Sequence, residues 1–209
     1  MLRHTYGDAL ISACGRYRTQ LRRWWDVPVT SWCLWIMLNP STADGQTDDA
    51  TISDICARTH RWSIPDYSLR GYPARPKGRT DAHVYHRPFG GLIVGNLYAW
   101  RETDPFHMWA AQVEGEDIIG PDTDRQLRLQ IAIADTVICA WGNGPSQRTW
   151  RESHLLRARA VVDMIRECKR EPLMLNVGKS GHPRHPLYWP ADAQLSPFIG
   201  YAEEGNIRQ

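Results

Sequence analysis

The sequence predicts an α/β protein: a three-layer α/β/α sandwich on a central four-stranded parallel sheet, preceded by an N-terminal β-hairpin. Three observations predict it. Four runs are almost continuously apolar, as strands covered on both faces must be: "SWCLWIML" (31–38), "GLIVGNLY" (91–98), "DTVICAWG" (135–142) and "PLMLNVG" (172–178). Helical patterns lie between them, and alternating strands and helices favour a parallel sheet inside helical layers. Ahead of them, in "GRYRTQLRRWWDV", Tyr17, Thr19 and Leu21 alternate with Arg16, Arg18 and Gln20. That period of two reads as a strand, placed here in an antiparallel hairpin at a sheet edge.

Each helix is justified by its own pattern. "DDATISDICARTHRW" opens on aspartates suited to capping and sets Ile52, Ile55 and Cys56 on one face. "DTDRQLRLQIAIA" has Asp122 or Asp124 near its start and turns Leu127, Ile131 and Ala134 inward. "PSQRTWRESHLLRARAVVDMIRECKR" carries an apolar stripe of Leu155, Ala158, Val162 and Ile165. One stretch breaks the order. Residues 61–91, "RWSIPDYSLRGYPARPKGRTDAHVYHRPFGG", are rich in Pro, Gly and Arg, and read as a basic loop inserted in a single domain spanning 1–209. Its Arg75, Lys77 and Arg79 are candidates for contact with phosphates, although a solvated insertion accounts for them equally well.

Composition limits the function classes. The chain has 209 residues and a formal net charge of +2, so any nucleic-acid footprint must be local rather than global. No apolar run approaches a membrane span, and the N-terminus does not read as a signal peptide. The five cysteines form no C-x-x-C pair and read as small buried hydrophobes of a reducing cytoplasm. Neither a metal nor a cofactor is expected. Gly178-Lys179-Ser180 resembles the tail of a phosphate loop, but the leading glycine would fall at Leu173. "HPRH" at 182–185 lacks the helical spacing of a zinc pair.

In a parallel α/β sheet, ligands gather beyond the carboxyl ends of the strands. The four apolar runs deliver Asn39-Pro40-Ser41, Asn96-Leu97-Tyr98, Trp141-Gly142-Asn143-Gly144 and "GKSGHPRHPLYWP" to that edge. Together these would make a pocket of amides, glycines and histidines beside tryptophan and tyrosine.

Three of the motifs, "MLNPSTADGQTDDATI", "GGLIVGNLYAWRETDP" and "GHPRHPLYWP", resemble the domain-of-unknown-function family sixteen-forty-three of bacteria and phages, over most of the chain to about Pro190. More remotely, the order of strand-end motifs is similar to that of the uracil-DNA glycosylase superfamily. There the first strand ends in an Asp/Asn-Pro motif, matched by Asn39-Pro40. The second carries a base-reading Asn, matched by Asn96. The third ends in a small-residue turn, matched by Ala140-Trp141-Gly142. A His-Pro motif follows the fourth, matched by His185-Pro186 or, alternatively, His182-Pro183.

The resemblance implies a glycosylase-like enzyme that hydrolyses the N-glycosidic bond of a modified or damaged base in DNA. Asn39 would hold the attacking water, and Asp44 or Asp48 would act as base or steady the sugar cation. His185 would donate to the departing base. Asn96 would read a base edge through its paired donor and acceptor, with Tyr98 or Trp141 stacking and Gly142 and Asn143 closing around it. Ser41, Lys179, Ser180 and Arg184 would meet the nucleic-acid backbone.

Ordinary structural roles compete at each position. Asn39-Pro40 can end a strand, Asp48 or Asp49 can cap a helix, Asn96 can be satisfied internally, and Trp141 can be core. The rival functions are a non-catalytic reader of nucleic acid or modified bases and a nucleotide- or base-modifying transferase. The expected partner is DNA, modified or single-stranded; no membrane or protein partner is expected.

Overall fold

A computed structural model describes residues 6–62, 89–178, 181–190 and 193–201. Its centre is a seven-stranded mixed sheet in the order β1-β2-β4-β3-β5-β6-β7. The strands are β1 (Tyr6–Ile11), β2 (Arg18–Trp24), β3 (Trp32–Met37), β4 (Gly91–Asn96), β5 (Thr136–Cys139), β6 (Pro172–Met174) and β7 (Ser196–Pro197). The four apolar runs supply β4, β3, β5 and β6, which are mutually parallel. Four α-helices accompany them among the described residues: α1 (Ala50–Trp62), α2 (Pro105–Val113), α3 (Thr123–Ile133) and α4 (Arg148–Glu167).

The mixed α/β class agrees with the sequence reading, but the sheet is wider than four strands. β1 and β2 form the expected antiparallel hairpin at a sheet edge, with β1 outermost. β2 pairs antiparallel with β4, Leu21 opposite Val94, so hairpin and parallel strands form one sheet. At the other end β7 pairs antiparallel with β6. In this way the open edges of the parallel strands are covered, and the backbone groups of β4 and β6 find partners.

Because β1 shields it, β2 is an inner strand, and its polar positions are not a solvent face: Arg18, Gln20 and Arg23 are all buried. The hairpin register slips between Leu10 and Ile11, which pair with Gln20 and Arg18. Thr19 is therefore the extra residue of a bulge, and such a bulge re-aims its neighbours.

Two apolar layers flank the sheet. On one face Trp35, Met37, Val94 and Ile138 pack with Ile52, Ile55, Cys56 and Trp62 of α1. On the other, Leu34, Ile36, Ile93 and Val137 pack with Leu127 and Ile131 of α3, Val161 and Ile165 of α4, and Trp109 of α2. Helix α2 was not foreseen. Asp104 caps it by accepting from Phe106 N, and Pro105 fills its first position.

The stripe of α4 also differs from expectation. Leu155 is only half-buried, while His154 and Arg157 are buried. Arg157 turns inward because its Nε donates to Leu97 O and it pairs with Asp124, tying α4 to the end of β4. Of the basic stretch 61–91, Arg61 and Trp62 end α1, and 89–91 lead into β4. Arg75, Lys77 and Arg79 lie outside the described residues.

The chain leaves β3 towards the α1 face and leaves β5 towards the α4 face. Divergent loops at neighbouring parallel strands open a crevice at their carboxyl ends, where α/β proteins bind ligands.

Candidate functional site

Two adjoining cavities occupy this crevice. The smaller, of about 270 Å³, is lined by Arg18, Asn39, Ser41, Asp49, Asn96 and Glu102 among others. The larger, of about 700 Å³, is lined by Phe106, Trp109, Asn143, Trp150, Arg184 and Tyr188 among others. Leu38, Thr103, Pro105, Trp141 and His185 line both, so the two spaces share a wall.

Asn96 is the last residue of β4 and only 2% exposed. Neither Nδ2 nor Oδ1 has a hydrogen-bond partner among the described residues. A buried amide left unpaired costs about 1–3 kcal/mol. A group retained at that cost on a cavity wall is suited to a ligand that supplies both an acceptor and a donor.

Asn39 follows β3 and lines the same cavity. Its Nδ2 donates to Glu102 O at 2.7 Å and lies 3.2 Å from Pro40 O, stitching the loop after β3 to the 100–104 segment. Its Oδ1 accepts nothing from the described residues, which leaves one acceptor for water or ligand.

His185 caps the short 3-10 turn Pro186–Tyr188, its Nδ1 accepting from Leu187 N across a long 3.4 Å. That contact favours the neutral tautomer with hydrogen on Nε2, on a residue that lines both cavities. Burial lowers the His185 pKa and so favours this neutral form. The segment is held by Arg58 of α1, whose guanidinium donates to the carbonyls of Pro186, Trp189 and Pro190 and pairs with Asp54.

The two histidine candidates thus separate. His182 lines neither cavity. It lies beneath them in an aromatic cluster, its ring 4.9 Å from His154 and its Nδ1 2.7 Å from Tyr201 Oη. Burial pushes His182 down to about 4; burial and then His182 push His154 down to about 3, so the buried His154 and the half-buried His182 are both neutral.

Asp44 and Asp48 do not reach the cavities. Asp44 closes a turn, its Oδ1 accepting from Gln46 N and Thr47 N at 2.8 Å, and these bonds lower its pKa. Asp48 pairs with Arg23 at 2.7 Å. Arg23 is fully buried and also donates to the carbonyls of Asp44 and Thr47, so the polar loop after β3 is wrapped around one guanidinium. The carboxylates on the smaller cavity are Asp49 and Glu102 instead. Asp49 also caps α1 through Ile52 N, and Glu102 Oε1 accepts from Thr103 N.

Tyr98 is core, not a stacking platform. It is 2% exposed, its ring is edge-on to Trp109 at 4.9 Å, and its hydroxyl faces His154. Trp141 is core as well, 1% exposed with its Nε1 donating to Tyr201 Oη, and the residue borders both cavities. Gly142 (φ 81°) and Asn143 line the larger cavity, as does Arg184, whose guanidinium lies over Trp189. Ser41 lines the smaller, beside Thr103. Lys179 and Ser180 lie outside the described residues.

Sequence reasoning missed Arg18, Asp49 as a cavity residue, Glu102, and the aromatic rim of Phe106 and Trp150. Arg18 carried no signal, because strand alternation does not reveal a bulge.

Fold and site define a mixed α/β protein with a polar-floored, aromatic-rimmed cleft at its strand ends. Comparison by sequence then places it. Residues 16–69 and 79–187 match the family described as Protein of unknown function (DUF1643), and the chain belongs to that family. The interruption at 70–78 falls inside the basic stretch. No curated protein and no solved structure matches the chain. No described helix is long and apolar enough to cross a membrane, and no described group of three His, Cys, Asp or Glu could hold a metal ion.

Proposed function

We propose that the protein binds a nucleobase in the smaller cavity and hydrolyses its N-glycosidic bond, in the manner of the uracil-DNA glycosylases, on a modified or damaged base of DNA. The observation that carries this reading is the orphaned, buried amide of Asn96 facing a cavity shared with Asn39 and His185. An amide with donor and acceptor side by side matches the edge of a heterocycle. His185 Nε2–H donates to the base as negative charge develops there, and Asn39 Oδ1 holds the water. Asp49 or Glu102, rather than Asp44 or Asp48, steadies the cation-like sugar. The sugar lies where the two cavities share a wall, within reach of these groups, and the phosphate occupies the larger cavity beside Arg184, with Phe106, Trp150 and Tyr188 as flanking surfaces.

The test is incubation with oligonucleotides carrying uracil or modified bases, followed by hot alkali to reveal abasic sites. Strand breaks that fall roughly a hundredfold in Asn96→Ala and His185→Ala are expected. No base release and no DNA binding from such a panel would sink the reading.

One observation favours a non-catalytic reader. Just after β3 stands Asn39, whose amide can position a water but cannot take its proton. A reader would bind modified DNA, lose affinity in Asn96→Ala, and never release a base.

A further inference from the structure

The larger cavity offers more room than a single phosphate fills. At about 700 Å³ it falls within the range of about 300–1,000 Å³ that holds a whole drug-sized ligand. Buried Trp109 and Trp141 form its inner wall. Its rim is aromatic and open to solvent. Phe106, at the start of α2, is 51% exposed, and Tyr188, at the end of the 3-10 turn, is 77% exposed. Exposed rings scattered over a surface are ordinary, but rings gathered on one cavity mark a place of contact.

The rim is braced by the elements beneath it. Phe106 stands edge-on to Trp150 at 5.6 Å, and Trp150 is stacked on Trp109 at 6.1 Å. The Tyr188 ring lies 5.9 Å from that of His185, a residue both cavities share. Gly144 (φ 71°) packs so close to His154 that a Cβ there would collide with its ring, which seats the loop after β5 against the core at the cavity wall. Arg184 borders the same space and pairs with no described carboxylate. Flat rings and a cation side by side are what a nucleotide needs, stacking for its base and charge for its phosphate.

We propose that the larger cavity is a second nucleotide subsite, which takes the unpaired base next to the target base, so that the substrate is single-stranded DNA. The assignment rests on the nucleobase reading above. One phosphate joins neighbouring nucleotides, and the two cavities share a wall, so a strand with its target base in the smaller cavity brings the next nucleotide to the larger one. Stacking on aromatic rings accepts any base, so the subsite confers selectivity for the state of the strand and not for its sequence. A base seated there has given up its Watson–Crick partner. A duplex must then open at two adjacent positions, and each opening costs unpairing and unstacking that a single strand does not incur.

Fluorescence anisotropy of the full chain with three labelled probes of equal length tests this: a mixed-sequence DNA single strand, the same strand in a duplex, and an abasic strand of tetrahydrofuran units. The single strand should bind about tenfold more tightly than the duplex. Phe106→Ala and Tyr188→Ala should each weaken the single strand about tenfold and leave the abasic strand unchanged, because only stacking is lost. Both rings are exposed and stand on separate elements, so either variant reports if the other fails to fold. Equal affinity for single strand and duplex overturns the subsite, as do truncations that weaken the abasic strand as much as the normal one. Base release in the alkali assay then leaves the glycosylase reading standing. Strand selectivity that both truncations abolish, without base release, upholds the subsite and rejects hydrolysis. If no probe binds and no base is released, both readings fall.

Discussion

At the scale of single residues, the site is marked by polar side chains that the fold buries without satisfying. Most buried polar groups here are engaged: Arg23, Arg58 and Arg157 each pair with a carboxylate and donate to backbone carbonyls. Against that pattern Asn96 stands out, with both amide atoms unpaired, while Arg18 and Arg157 each leave one nitrogen unpaired. If the Asn96 amide serves a ligand rather than the fold, replacing it with leucine of similar volume removes an unpaired group and should not destabilise. Thermal melting of Asn96→Leu should show an unchanged or higher midpoint, with loss of base binding. A clear drop in the midpoint would assign Asn96 a structural role instead.

At the scale of elements, α1 positions half of the cleft. Its N-terminus is capped by Asp49, a cavity residue, and Arg58 near its C-terminal end grips the carbonyls around the 3-10 turn that carries His185. Hydrogen bonds to charged groups contribute more than neutral ones, so Arg58→Met should lower stability by about 2–3 kcal/mol in urea denaturation. It should also impair whatever His185 does, although Arg58 lines neither cavity. Full activity with full stability in this variant would refute the positioning role. The aromatic rim is likewise built by elements: α2 brings Phe106 and Trp109 against Trp150 of α4, with Trp109 and Trp150 stacked at 6.1 Å.

At the scale of the whole molecule, the buried His154 and the half-buried His182 form a neutral pair beside the cleft, and this sets a pH dependence. His154 and His182 are held down at about 3 and about 4, below the ordinary value near 6.5 in the unfolded chain. The unfolded chain therefore binds more protons than the folded one over that interval. Their contribution to stability is present in full above about pH 6.5 and is lost as the pH falls towards 4. Urea midpoints should decline between pH 7 and pH 4.5, with the decline blunted in His154→Phe. A midpoint flat across that range would contradict the buried-neutral assignment.

What the sequence determined alone was the order of elements and the residues at the strand ends. Apolar periodicity is a local property, so β3, β4, β5, β6 and three of the four described helices were legible, as was the delivery of Asn39, Asn96, Trp141 and His185 to one edge. Tertiary structure decided everything that depends on partners. Pairing with β4 on one side and β1 on the other buried the polar positions of β2 inside the edge hairpin. A one-residue bulge turned Arg18 into the cavity. Arg23 drew Asp44 and Asp48 away while Asp49 stayed, and packing against Trp109 and His154 took Tyr98 into the core. The reason is that burying a charge or an amide is a contest among neighbours distant in the chain, and spacing along one strand holds no record of which neighbour wins.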